Sequence, residues 1–215
     1  PKACYYDVSE SPISVRFVEG EHRLKRLQER FPEKTFIDSG YAKLDPIVNK
    51  TTDKFDLIAA GLDPNKKTLL YAPTFYPSSI ECLPKDFPAH LSDFNLIIKP
   101  HFFSLIKANY KKQRDRLERW QQFSNVYVAR PKEASILPFM SIADILISDA
   151  SSTLFEFTAL DKPAIWCDFY KLRWSYRGPL KFRFTRRLDK DIQLFADVAD
   201  QTKSFKELTN AIHKN

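Results

Sequence analysis

The sequence predicts an α/β fold, a Rossmann-like parallel sheet flanked by helices, and three observations lead there. Short unbroken apolar runs recur from Lys67 onward, at 68–73 (TLLYAP), 95–100 (NLIIKP), 125–130 (NVYVAR), 143–149 (ADILISD) and 163–169 (PAIWCDF). Runs without polar alternation are strands buried on both faces, as parallel pairing requires. The stretches between them are long enough for helical crossovers. A 215-residue chain with 43% apolar residues can also bury the core of one large domain.

Before these runs, residues 13–18 (ISVRFV) read as a short strand. Glu21 to Arg30 reads as a helix with Leu24 and Leu27 on one face. Phe36 and Ile37 form a second apolar pair ending at Asp38-Ser39-Gly40, and Tyr41 to Val48 reads as a connecting segment. The expected division is 1–48, the end of an N-terminal region with its linker, and 49–215, a nucleotide-binding domain. Within the second part, Ser104 to Gln122 reads as one helix. Leu105, Ile106, Tyr110, Leu117 and Trp120 face inward on it, and its lysines and arginines face outward.

Several function classes are set aside by composition. No run approaches the roughly 18 apolar residues of a membrane span, and PKACYYDVSES is not a secretory signal. Cys4, Cys82 and Cys167 lie far apart with no CxxC pair, so neither zinc nor a disulfide framework is expected, and the setting reads as cytoplasmic. Glycine occurs only at 20, 40, 61 and 178, which removes the clustered-glycine phosphate loops. A net charge of +7 suits an anionic partner without choosing which.

The sharpest local signal is residues 143–166, strand, polar turn, helix and strand again. Ligands of open parallel sheets bind beyond the carboxyl ends of strands, where Asp149, Ser151 and Ser152 fall. Ser151, Ser152 and Thr153 begin a helix, so their hydroxyls and free amides suit a diphosphate; the plainer alternative is helix capping. Glu156, one turn on, either favours the positive helix end or reaches a ribose or polyol hydroxyl. His101 follows the strand at 95–98. It is either structural or a donor to phosphate that stabilises a leaving group. At 69–79 (LLYAPTFYPSS) Thr74 joins the same sheet edge, while Ser78 and Ser79 either join it or merely shape a proline-rich loop. Arg130 opens a further strand-end loop, near phosphates or simply solvated. The run 181–187 (KFRFTRR) reads as an edge strand or as an acceptor or membrane-surface patch.

Taken in order, LLYAPTF, LIIKPH and DILISDASSTLFEFTALDKPAI resemble the C-terminal domain of the CDP-glycerol glycerophosphotransferase family, and DSGYAKLDPI at 38–47 resembles that family's interdomain linker. The likeness runs over residues 15–170. It implies the C-terminal half of a GT-B fold and transfer of a polyol phosphate, glycerol phosphate above all, from a CDP-activated donor to a polymer or lipid-linked acceptor. It implies a catalytic, phosphate-contacting role for His101 and donor-diphosphate contacts for Ser151 and Ser152, and Thr74 matches the threonine of the family's Ala-Pro-Thr turn. With the local reading, the expected site places Thr74, Ser151, Ser152 and Thr153 on the donor phosphates and Arg130, Asp149 and Glu156 on the nucleotide or polyol. No cofactor or metal is expected. The family's catalytic base is a histidine of an N-terminal domain, for which no segment before residue 15 matches. Peripheral membrane contact follows from a lipid-linked acceptor. Ala150 stands where the family commonly has Tyr, and Phe102 where Pro or Tyr is frequent. Two alternatives remain beside this reading: a GT-B glycosyltransferase or UDP-sugar epimerase-like domain, and a nucleic-acid or anionic-polymer binder using Lys107, Lys111, Lys112, Arg114, Arg116 and Arg119. Nucleic acid is not the expected partner.

Overall fold

The computed structural model describes residues 12–172, 174–182 and 197–215. Strand β1 (Val15–Val18), helix α1 (Glu21–Arg30) and strand β2 (Thr35–Asp38) form a parallel βαβ unit. Val18, Leu27 and Phe36 are buried between its sheet and helix. Asp38 closes the unit: Oδ1 accepts the N–H groups of Gly40 at 3.0 Å and Gly20 at 2.9 Å. Those two bonds hold its carboxyl below the usual carboxylate range. The connecting segment is itself helical, a 3-10 turn at Ala42–Leu44 running into α2 (Asp45–Val48), with Pro46 in the first turn where no amide is needed.

The larger unit holds β3 (Thr68–Ala72), β4 (Asn95–Ile98), β5 (Val126–Val128), β6 (Ile145–Ser148), β7 (Ala164–Cys167) and β8 (Asp200–Thr202). They lie in the order β5-β4-β3-β6-β7-β8, every pair parallel. The chain winds outward one way from β3 and then the other way from β6, the doubly wound arrangement. Its direction therefore switches between β3 and β6, and a crevice opens beyond their carboxyl ends. The expected Rossmann-like parallel sheet flanked by helices is present.

Helices α3 (Phe102–Ile106), α4 (Lys111–Trp120), α5 (Leu137–Ile142), α6 (Ser152–Thr158) and α7 (Phe205–Lys214) complete the unit. Alternate strand residues serve opposite layers. Leu69, Tyr71, Leu96, Ile98 and Ile147 pack with Leu117, Trp120, Leu208 and Ile212 of α4 and α7. Leu70, Ile97 and Leu146 pack with Phe139, Met140, Leu154 and Phe157 of α5 and α6. Burial on both faces explains why these strands read as continuous apolar runs.

Three expectations need correction. The helix expected at 104–122 is two helices, α3 and α4, broken at Lys107, whose ψ of 133° is extended. The break lets Tyr110 bury against Phe75, at 5.9 Å between ring centroids, and leaves Ile106 52% exposed instead of inward. Arg114 compensates by donating from Nη1 to the freed Lys107 carbonyl at 2.6 Å. The cations of α4 are not a uniform solvated face either: Arg116 donates to the carbonyls of Ile80 and Leu83, and Lys111 pairs with Asp115. Strand β8 and helix α7, which the reading of apolar runs passed over, close the sheet. In the basic run, residues 183–187 lie outside the described residues, as do Cys4 and the rest of 1–11, and Lys181 ends a 3-10 turn at Gly178–Lys181.

Candidate functional site

The crevice between β3 and β6 is built around Asp149, which follows β6 and is 3% exposed. Its Oδ2 accepts the N–H of Thr74 at 2.8 Å and the Thr74 hydroxyl at 3.2 Å, while Oδ1 accepts the N–H of Ser79 at 3.0 Å. Burial pushes this carboxyl up to about 6, and the bonds from Ser79 and Thr74 pull it back only in part. Asp149 thus folds the loop after β3 onto the end of β6, and both its oxygens are committed to that loop. The Thr74 hydroxyl is also 2.6 Å from the Pro77 carbonyl, so it serves the same turn. Ser78 caps the next 3-10 turn, and the Ser79 hydroxyl lies 2.7 Å from the Tyr71 phenol. Ser78 and Ser79 are both buried within this loop.

Beyond Asp149 the chain enters α6. Ser151 is its N-cap, in extended conformation, with the hydroxyl accepting from the N–H of Thr153 at 3.4 Å. The Thr153 hydroxyl is 3.0 Å from that of Ser148, which in turn donates to the Ala72 carbonyl at 2.6 Å and so ties α6 to β3. Ser152, exposed, donates to Glu156 at 3.2 Å. Glu156 is 4% exposed and lies within the chain's own hydrogen bonds: Oε1 accepts from Tyr41 at 2.7 Å and Oε2 from Lys43 at 2.6 Å. The sequence left Glu156 either favouring the positive helix end or reaching a ribose or polyol hydroxyl; in the structure its carboxylate is held by Tyr41 and Lys43 of the 38–47 segment.

On the other side of β3, β4 ends at Lys99-Pro100-His101. His101 caps α3, its Nδ1 accepting the N–H of Phe103 at 3.1 Å, and its ring packs against Phe75 at 4.6 Å and Phe103 at 5.1 Å. With Nδ1 an acceptor, the neutral imidazole carries its proton on Nε2, which makes that atom a donor. Lys99 is a cation the sequence reading passed over, although the Lys-Pro pair that precedes the histidine marks it; burial lowers its ammonium pKa, and Glu133 raises it again. After β5, Arg130 is exposed, and its N–H donates to Glu133 Oε2 at 2.6 Å. Tyr127 donates to Glu133 Oε1 at 2.8 Å, its phenol pushed up to about 12 by burial and by that contact.

Asp149, Thr74, Ser151, Ser152 and Thr153 therefore gather around β3 and β6. His101 and Arg130 sit on the neighbouring strand ends. Tyr41, Lys43 and Ser148 also belong to this edge. The linker motif contained the first two, whereas Ser148 lies in an apolar run with no local signal. A cavity of about 480 Å³ opens at the opposite, amino end of the strands, where Asn95 and Asn125 hold loop carbonyls. Among the described residues there is no group of three His, Cys, Asp or Glu suited to a metal ion, and no helix long and apolar enough to cross a membrane.

Comparison with known proteins gives the family and the fold. The profile of the family described as CDP-Glycerol:Poly(glycerophosphate) glycerophosphotransferase matches residues 2–208. A teichoic acid poly(glycerol phosphate) polymerase of Bacillus spizizenii is 26% identical over 198 residues, 83% of this chain and 48% of the relative. The solved wall teichoic acid polymerase TagF superposes over 98% of this chain and 59% of its own, at 18% identity and a TM-score of 0.55. A TagF variant soaked with CDPG gives 18% identity and a TM-score of 0.51 over 98% of this chain and 58% of its own. The chain thus spans about half the length of the curated relative it matches, and the structural likeness speaks for the fold. With the profile matching nearly end to end, the chain belongs to the CDP-glycerol:poly(glycerophosphate) glycerophosphotransferase family.

Proposed function

We propose that this chain is the donor-binding half of a GT-B transferase that moves glycerol phosphate from CDP-glycerol to a growing polymer or lipid-linked acceptor. The observation that carries the reading is the switch point of the sheet. There the Ser151-Ser152 turn adjoins a loop fixed by Asp149, and His101 presents an Nε2 donor from the next strand end.

In this reading the acceptor hydroxyl attacks the β-phosphorus in line. The new P–O bond forms as the bridging P–O bond breaks, CMP leaves with the electron pair, and the hydroxyl proton passes to a base of an N-terminal domain. His101 Nε2–H, the Ser151 hydroxyl and the α6 amides, that of Ser152 among them, stabilise the charge that develops on the leaving CMP and the transferring phosphoryl. Thr74 and Thr153 shape the phosphate site through their turn contacts, and Asp149 positions the loop without touching the donor. Arg130 adds a positive charge at the nucleotide end. The mechanism needs no cofactor or metal. Exposed Trp174 and Phe182 beside Lys181 support a peripheral contact with the inner face of the cell membrane, where a lipid-linked acceptor would lie.

The test is calorimetric titration of CDP-glycerol, CDP and UDP-N-acetylglucosamine into the chain and into its His101→Ala and Ser151→Ala/Ser152→Ala variants. Cytidine-selective binding that drops at least tenfold in both variants is the expected result. Preference for the uridine ligand would replace this reading with a glycosyltransferase or epimerase one, and binding that ignores the base and vanishes with salt would replace it with polymer binding.

A further inference from the structure

The linker does more than join the two units. Tyr41 and Lys43 reach across 115 and 113 positions of sequence to the same carboxylate, Glu156, one helical turn from the serine pair. The pairing is asymmetric: the Glu156 side chain is 3% exposed and that of Lys43 45%. A buried carboxylate needs its counter-ion, and Lys43 supplies it from the solvent side. Oε1 is shared between the Tyr41 phenol and the Ser152 hydroxyl, so one oxygen connects linker and turn. Burial, with Glu156 second, pushes the Tyr41 phenol well up, so it remains a donor.

We propose that Lys43 is a positioning residue for the anionic donor: it neutralises Glu156 and, with Tyr41, fixes the carboxylate that orients the Ser152 hydroxyl. The inference rests on the donor site proposed above. Without Lys43, a negative charge stands one turn from the place where a diphosphate binds, and at that separation in a partly buried setting the repulsion is on the order of tenfold in affinity. The same contact makes donor affinity depend on where the linker lies, a dependence that a polyol-contacting Glu156 would not produce.

The experiment is a double-mutant cycle on the whole chain, reading CDP-glycerol and CDP affinity by calorimetry for wild type, Lys43→Met, Glu156→Gln, Lys43→Met/Glu156→Gln and Lys43→Arg. Lys43→Met is expected to weaken both ligands about tenfold. The double variant and Lys43→Arg should return to within roughly threefold of wild type, because one removes the bare charge and the other restores its partner. The double variant also covers the case in which Lys43→Met alone folds poorly. A double variant as weak as Lys43→Met, a Lys43→Met variant that binds like wild type, or a Glu156→Gln variant that loses CDP-glycerol but keeps CDP each overturns the role given to Lys43. Wild type that binds neither ligand overturns the donor site itself, and this inference with it.

Discussion

The two sides of β3 solve the same problem with opposite materials. Toward β6, the polar groups at the strand end are buried: Asp149 is 3% exposed and takes hydrogen bonds from two backbone amides and one hydroxyl. Toward β4 and β5, His101 and Arg130 are exposed, and the contacts that hold them are short-range in sequence or aromatic: His101 takes the amide of Phe103 and packs against Phe75, and the Arg130 amide donates to Glu133. A buried polar group whose partners are all protein fixes geometry, whereas an exposed one can also turn to a ligand. Under the proposed function the difference separates a residue that holds the crevice from residues that meet what enters it. It also implies that substituting Asp149 damages folding, whereas substituting His101 or Arg130 damages binding.

The largest effect belongs to Asp149. Asp149→Ala strands the amides of Thr74 and Ser79, and a loss of about 3 kcal/mol in urea unfolding is expected. A loss under about 1 kcal/mol would erase the contrast between the two sides. Titration sharpens it further. The folded carboxyl titrates near 6, above the ordinary 3.8, so the native state binds the extra proton between those values. Its contribution to stability is fully present below about pH 3.8 and is lost as pH rises through 6, roughly 3 kcal/mol across the window. Wild type minus Asp149→Asn, compared by unfolding at pH 4 and pH 7, should show that fall; a flat difference would mean that the carboxyl is not held in a desolvated site.

How much of this was legible in the sequence follows from the same contrast. The strands β3 to β7 announce themselves because both their faces are buried, and Asp149 and Ser151 because they stand directly after one of them. Strand β8 has only the polar residues Asp200, Gln201 and Thr202, and it pairs at the sheet edge where apolar residues are not required. The break at Lys107 was hidden because local periodicity continues through it; the burial of Tyr110 against Phe75, a contact 35 positions away in sequence, decides it. Glu156 shows the limit most clearly. Its place one turn into α6 suggested a ligand contact, and only the long-range approach of Tyr41 and Lys43 reveals the partner that its buried carboxylate requires.

On the exposed side, His101 can be tested without disturbing its cap. His101→Asn keeps a side-chain acceptor for the Phe103 amide but removes Nε2, so stability should stay within about 0.5 kcal/mol of wild type. Affinity for CDP should nevertheless fall about tenfold, since a hydrogen bond to a charged phosphate contributes on the order of 1.5 kcal/mol. Calorimetry and thermal unfolding on the same variant separate the two. If stability falls and affinity does not, His101 is a capping residue and belongs with Asp149 on the holding side.

The smallest effect is expected at Arg130, and it tests how far the contrast reaches. The Arg130 residue is exposed, and its backbone is bound at both ends to Glu133, the amide to Oε2 and the carbonyl to the Glu133 N–H; the loop therefore keeps its closure when the side chain is removed. Arg130→Ala should leave stability within about 0.5 kcal/mol. An exposed cation adds only a screened attraction to an anionic ligand, so under the proposed function CDP affinity should drop about threefold at low salt and converge with wild type as ionic strength rises. Glu133→Gln makes the complementary case, because Glu133 carries both the Arg130 amide and the Tyr127 phenol and acts as the local counterpart of Asp149. If Arg130→Ala leaves affinity unchanged while Glu133→Gln lowers it, the β5 loop meets the ligand through its backbone shape, and the guanidinium is a solvated charge.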